Sequence, residues 1–123
     1  MPNDYRIGVV QKDRRGYLME FANEPGQIFV ARSRPGALRG GHYHLRKFEK
    51  FTVLEGQGLL SVRKRGTNVI REHWLTGDRP EIVEVVPGEV HSITNEGAGD
   101  MLLIAWSSEV FNPQDPDTFS EDV

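Results

Sequence analysis

Short runs in which apolar and polar positions alternate, rich in β-branched and aromatic residues, recur along the chain between evenly spread glycines and prolines. A two-residue period sends alternate side chains to opposite faces of a strand, so the pattern predicts an all-β sandwich or barrel of antiparallel strands. Ten strands are expected, at residues 5–10, 17–21, 27–32, 37–44, 48–54, 58–64, 69–75, 81–85, 90–94 and 101–106. No stretch keeps a helical period over three turns. Turn-forming residues mark the joints, and Lys64-Arg65-Gly66-Thr67 reads as a hairpin. Residues 1–12 read as an N-terminal strand or arm. Residues 112–123 (NPQDPDTFSEDV) are acidic, carry two prolines and are expected to form a surface-draped or frayed tail. With no internal repeat or linker, residues 1–123 are expected to form one domain.

Composition narrows the function. With 37% hydrophobic and 27% charged residues, the 123-residue chain has the balance of an ordinary globular domain. Fifteen basic against eighteen acidic residues, a net charge of −3, give no electrostatic reason to expect a nucleic-acid or anionic-membrane partner. No secretory signal and no apolar run of membrane-spanning length are visible, so a cytoplasmic location is the default expectation. The absence of cysteine excludes disulfides, zinc ribbons and thiol nucleophiles. Any transition-metal site must therefore be built from the four histidines and carboxylates.

His42 and His44 are two apart, so one strand aims both to the same face. Glu49 follows across a short turn, and His91 arrives from a distant strand after the Pro87-Gly88 turn. Three imidazoles and one carboxylate form a ligand set for a first-row divalent metal. Taken singly, each residue also suits a bland role: the histidines as polar groups on an exposed strand face, Glu49 as a surface charge beside Lys47 and Lys50. The framing decides between these readings. Gly36-x5-His42-x-His44-x4-Glu49-x6-Gly56, followed by Pro87-Gly88-x2-His91-x3-Asn95, resembles the two motifs of the cupin superfamily. The second motif departs from the pattern, with Val86 where a proline often sits and Pro80 near the expected leading glycine. The resemblance implies a cupin-type jelly-roll β-barrel holding a metal on His42, His44, Glu49 and His91.

Flanking residues narrow this further. Arg39-Gly40-Gly41-His42-Tyr43-His44, Glu49-Lys50-Phe51, the run from Glu84 to Ile93 and the end from Ala105 to Phe119 resemble the C-terminal cupin domain of the capsular polysaccharide assembling (CapF-type) proteins. The segment from Asp13 to Glu20 is similar to the opening of RmlC-type deoxysugar epimerases. The resemblance implies epimerisation at the carbon next to the ketone of a nucleotide-linked 4-keto-6-deoxy sugar, with zinc in the barrel. In CapF-type proteins a reductase domain then reduces the ketone. This chain carries no dinucleotide-binding fingerprint, so a separate reductase is the expected pathway partner.

A proton beside a ketone leaves more easily when the developing enolate oxygen is stabilised, and a metal supplies that stabilisation as a Lewis acid. Two proton carriers are then needed. His42 occupies the place of the RmlC-type base, but an imidazole bound to a metal has no lone pair left for a proton. The remaining candidates are Tyr43, Lys50, His73, Tyr17 and metal-bound water. Each has a plainer use: Tyr43 and Lys50 alternate with inward residues, and His73 lies beside Trp74 on a strand of mixed register. Arg39 and Arg32 are candidates for a nucleotide diphosphate, which guanidinium binds in bidentate fashion. Trp106 and Phe51 either stack on a ring or fill the barrel. Four protein ligands saturate tetrahedral zinc, whereas octahedral manganese, iron or nickel keeps two positions open. A metal-dependent dioxygenase and a non-catalytic sugar-binding cupin are therefore the alternatives to the epimerase. A homodimer is expected, because small barrels shield their edge strands by association and the segment before Asp13 is long enough to reach a neighbour.

Overall fold

Residues 10–123 are described by the computed structural model, and within them the alternating runs become eleven strands. These are β1 (Val10–Asp13), β2 (Gly16–Met19), β3 (Gln27–Ser33), β4 (Leu38–Tyr43), β5 (Glu49–Glu55), β6 (Gln57–Lys64), β7 (Ile70–Thr76), β8 (Val83–Val85), β9 (Glu89–Asn95), β10 (Met101–Ser107) and β11 (Phe119–Ser120). All pairings are antiparallel. The expected strand at 5–10 lies outside the described residues but for its last member, and so does most of the 1–12 arm.

β1 and β2 form a hairpin of their own, while the rest divide into a four-stranded sheet, β3-β10-β5-β8, and a five-stranded sheet, β11-β4-β9-β6-β7. Inward side chains of both larger sheets meet in one cluster that includes Phe51, Val53, Leu60, Val62, Ile93, Met101 and Leu103. Val53, Leu60, Val62 and Met101 are fully buried there. Burial of such side chains, at roughly 1.5–3 kcal/mol each, drives the two sheets together.

Of the two forms expected for the tail, surface-draped or frayed, the structure shows the first, with residues 112–120 exposed except for Asp117. Phe119–Ser120 joins the sheet beside β4, and Asp117 is buried. Phe119 stacks on Tyr43, Arg46 pairs with Asp115, and Arg63 pairs with Glu121, so the segment is strapped to the barrel along its length. Fraying was open because acidic side chains bring no apolar surface to bury and proline offers no N–H to a ladder; ion pairs, one aromatic stack and backbone hydrogen bonds hold the segment instead.

A bulge in β4 decides which side chains face inward. Arg39 lies opposite Ile93, and His42 lies opposite His91, with the register shifting between Gly40 and His42. Ile93 and His91 are two apart and share the inner face, so Arg39 and His42 both point inward. Unbroken alternation could not achieve this, since the two are three residues apart; one extra residue restores the phase. Gly40 and Gly41 absorb the irregularity at φ +97° and +77°. At Gly40 a Cβ would lie 2.8 Å from the His91 carbonyl oxygen, whereas at Gly36, also at positive φ, it would meet nothing within 4 Å.

Gly36→Ala is thus expected to cost about 1–2 kcal/mol through backbone strain alone. Gly40→Ala should cost about 1–3 kcal/mol more, because the bulge must also shift away from β9. Urea unfolding of the two variants checks this, and equal losses would contradict the role assigned to the bulge.

Candidate metal centre

Three strands and the turn after the first deliver the centre. His42 comes from the end of β4, His44 from the first residue beyond it, Glu49 from the start of β5 and His91 from β9. Their ligand-type atoms all lie within 4.8 Å of one another. Glu49 Oε1 stands 2.7 Å from His44 Nε2 and 2.9 Å from His91 Nε2. His44, Glu49 and His91 are buried, and His42 is half-buried.

The outer nitrogens orient the rings. His44 Nδ1 is 2.7 Å from the Asp117 carbonyl oxygen, and His91 Nδ1 is 3.1 Å from that of Glu89. A carbonyl only accepts, so each Nδ1 carries the proton and each Nε2 faces the centre. His91 Nε2, though close to Glu49, is off the line of a hydrogen bond and is left as a buried nitrogen without a partner among the described residues. An orphaned imidazole nitrogen beside two further imidazoles and a carboxylate oxygen fits a borderline divalent cation, and the cluster could hold one.

Charge follows this geometry. Burial would raise the Glu49 carboxyl, but the His44 hydrogen bond and the His91 ring outweigh it and bring the pKa down to about 2. Burial likewise pulls His44 down, but Glu49 and the Asp117 carbonyl overcome it, so its pKa is raised above 6.5. His42 is lowered to about 4, first by burial and then by its neighbours His91 and His44. Without a cation, His44 presents N–H groups to acceptors on both sides; a metal at Nε2 replaces one of those protons.

The centre opens on a cavity of about 360 Å³ with walls that include Phe29, Phe51, Ile93 and Leu103. Arg39 lines it, and its Nε donates to Ser33 Oγ at 2.7 Å. Arg32 is not among the lining residues and instead meets Glu55 at 3.4 Å. None of the four proton-carrier candidates lines the cavity. Tyr43, between the inward His42 and His44, lies between Phe119 and the Arg65 guanidinium, which is 4.1 Å from its ring. Lys50 alternates with Glu49 and rests 5.2 Å from the Trp106 ring. His73 accepts from Arg71 Nε at 3.1 Å on β7, and Tyr17 is exposed on the β1–β2 hairpin. Of the two ring-stacking candidates, Phe51 lines the cavity, whereas Trp106 is buried with its indole N–H directed at the Glu24 carbonyl.

Two residues escaped the sequence reading. Lys47, weighed only as part of a charged surface, is buried against the cavity, its ammonium donating to the Pro116 carbonyl at 2.9 Å. The signal was its phase, two residues before inward Glu49. Asp117, assigned to the tail, reaches the back of His44.

Residues 11–119 match the family described as polysaccharide biosynthesis C-terminal domain. Over 113 residues, 90% of this chain and 30% of the relative, the sequence is 40% identical to the UDP-2-acetamido-2,6-beta-L-arabino-hexul-4-ose reductase of Pseudomonas aeruginosa. The crystal structure of capsular polysaccharide assembling protein CapF from Staphylococcus aureus aligns with a TM-score of 0.79 at 35% identity, over 94% of this chain and 34% of CapF. The chain therefore spans about a third of the length of these two relatives. The dTDP-6-deoxy-D-glucose-3,5-epimerase RmlC from Legionella pneumophila aligns with a TM-score of 0.75 at 19% identity, over 92% of this chain and 69% of RmlC, a likeness of fold. The architecture is the cupin-type jelly roll.

The three shifts act on stability in separate pH windows. His44 gains its partners when protonated, so its contribution is complete below 6.5 and is lost as pH rises through its raised folded value. His42 resists protonation, so stability is lost as pH falls from 6.5 to about 4. Glu49 adds a further loss as pH falls from 4.5 to about 2. Metal-free protein should therefore melt highest near pH 6.5. His42→Asn should flatten the limb between 6.5 and 4. Thermal melts in chelator test this, and an unchanged acid slope in the variant would refute the assignment to His42.

Proposed function

The chain belongs to the polysaccharide biosynthesis C-terminal domain family, and on that premise we propose that it is a metal-binding epimerase of nucleotide-linked 4-keto-6-deoxy sugars in surface polysaccharide biosynthesis. The observation that carries this reading is the convergence of three imidazoles and a carboxylate on one point beside a cavity with apolar walls. The relative from Pseudomonas is named for a UDP-linked hexulose with a ketone at carbon 4, which supports a substrate of that class here.

Zinc is the cation assigned to His42, His44, Glu49 and His91, with manganese, iron or nickel as substitutes. When bound, it supplies Lewis acidity toward the ketone oxygen as a proton leaves the adjacent carbon. His44 and His91 keep their Nδ1 protons on backbone carbonyls and so present a fixed pair of donors. Phe51, Ile93 and Leu103 give the cavity apolar walls, and charge interactions strengthen in such a setting. Arg39 and Lys47 add two cationic side chains to the lining, suited to an anionic substrate.

Ketone reduction is the activity named in that relative, of which this chain covers 30%. A homodimer is supported by β3, an edge strand among the described residues that exposes Ile28, Phe29 and Val30 in succession, since an apolar edge calls for cover. A cytoplasmic location remains part of the proposal; among the described residues no helix is long and apolar enough to cross a membrane.

Incubation with a UDP-linked 4-keto-6-deoxyhexosamine in D2O, followed at carbon 3 by NMR, tests the function. Deuterium should enter with zinc-loaded protein at least ~100-fold faster than with metal-stripped protein, and added zinc should restore the rate. No exchange above the stripped control would remove the epimerase reading. Oxygen uptake with iron- or nickel-loaded protein would favour the dioxygenase, and binding of the sugar nucleotide without exchange would favour a non-catalytic cupin.

A further inference from the structure

Asp117 makes an unusual set of contacts for a carboxylate in an acidic tail. Its side chain is buried, and its partners are backbone amides instead of side-chain cations: Oδ1 accepts from Leu45 N–H at 2.9 Å, and Oδ2 accepts from Arg46 and Lys47 N–H at 2.9 and 3.0 Å. Burial would raise its pKa, but these three amides outweigh burial and hold it below the ordinary carboxylate value. The same residue's carbonyl accepts from His44 Nδ1 at 2.7 Å. Its backbone sits at φ +46°, in the left-handed region that residues other than glycine seldom adopt. Four consecutive residues, 44–47, thus end on one residue 70 to 73 positions away, and this segment is most of the link between His44 and Glu49.

Resting on the metal reading above, we infer that Asp117 is a positioning residue of the metal centre. Its carboxylate pins the 45–47 turn, which places its own carbonyl behind His44. The ring, held by its Nδ1 proton, then directs Nε2 at the point shared with Glu49 and His91. Lys47 gains from the same strap, since Pro116 takes its ammonium while Asp117 takes its amide. A role confined to fastening the tail would need neither the histidine contact nor the left-handed backbone, because Arg63 to Glu121 and Phe119 to Tyr43 already fasten it.

Asp117→Asn is the informative change. Asparagine tolerates the left-handed backbone, yet its NH2 group faces an amide donor and cannot accept. Arg63→Gln serves as the control, loosening the strap at Glu121 without touching the turn. With both variants folded by circular dichroism, zinc affinity measured against a chromophoric chelator should fall about 10–100-fold in Asp117→Asn and stay within about twofold in Arg63→Gln. The visible spectrum of cobalt-loaded protein should change in the first variant only. In metal-free protein, the slowly exchanging His44 Nδ1 proton seen by NMR should be lost in Asp117→Asn and kept in Arg63→Gln. Unchanged affinity, spectrum and ring proton in a folded Asp117→Asn would overturn the inference. A wild type that takes up no metal defeats the parent reading instead, and the ring-proton comparison still decides whether Asp117 fixes His44.

Discussion

Burying the Glu49 carboxylate is the constraint around which this barrel is arranged. An isolated carboxylate in an apolar interior would take up a proton or draw in water. Glu49 remains charged because two imidazoles meet its Oε1 at 2.7 and 2.9 Å. The imidazoles crowd one another in turn, with ring centroids 4.8 to 5.4 Å apart, and burial first, then this crowding, drives His42 toward neutrality. A small dication held by His42, His44, Glu49 and His91 would relieve these tensions together, balancing the carboxylate and giving the His91 nitrogen, which has no hydrogen-bond partner, a ligand role.

Keeping such a cluster in place requires scaffolding that apolar packing does not provide. The Gly40–Gly41 bulge turns His42 inward while leaving Arg39 inward as well, so one strand supplies both a ligand-type group and a cation to the cavity. On the other side, the C-terminal strap reaches the back of His44, and the start of β9 holds His91 through the Glu89 carbonyl. The hydrophobic cluster of Val53, Leu60, Val62 and Met101 lies between the sheets and sets their spacing. Packing therefore brings the strands together, and polar contacts at three chain segments aim the rings.

Much of this was legible in residue order. Period-two alternation predicted the strands to within a few residues at most ends, and the His42, His44, Glu49 and His91 spacing identified the four side chains that the fold gathers. Three features were harder to read. The bulge breaks the period that strand reading relies on; paired glycines were its only mark. Lys47 looked like surface because a charged residue next to a turn usually is, and only its phase with Glu49 argued otherwise. Asp117 was hidden because its partners are backbone amides 70 to 72 residues away, and such contacts leave no trace in side-chain patterning. The proton-carrier candidates Tyr43 and Lys50 failed to reach the cavity for the reason that exposed the ligands: alternation turns every second residue outward.

Anomalous diffraction at the zinc absorption edge, from crystals of protein purified without added metal, bears most directly on the metal centre. One peak is expected, about 2.0–2.2 Å from a ring nitrogen of each of His42, His44 and His91 and from a Glu49 oxygen. A featureless map at that point, with the four side chains as close as they are here and zinc present in the crystal, would contradict the account.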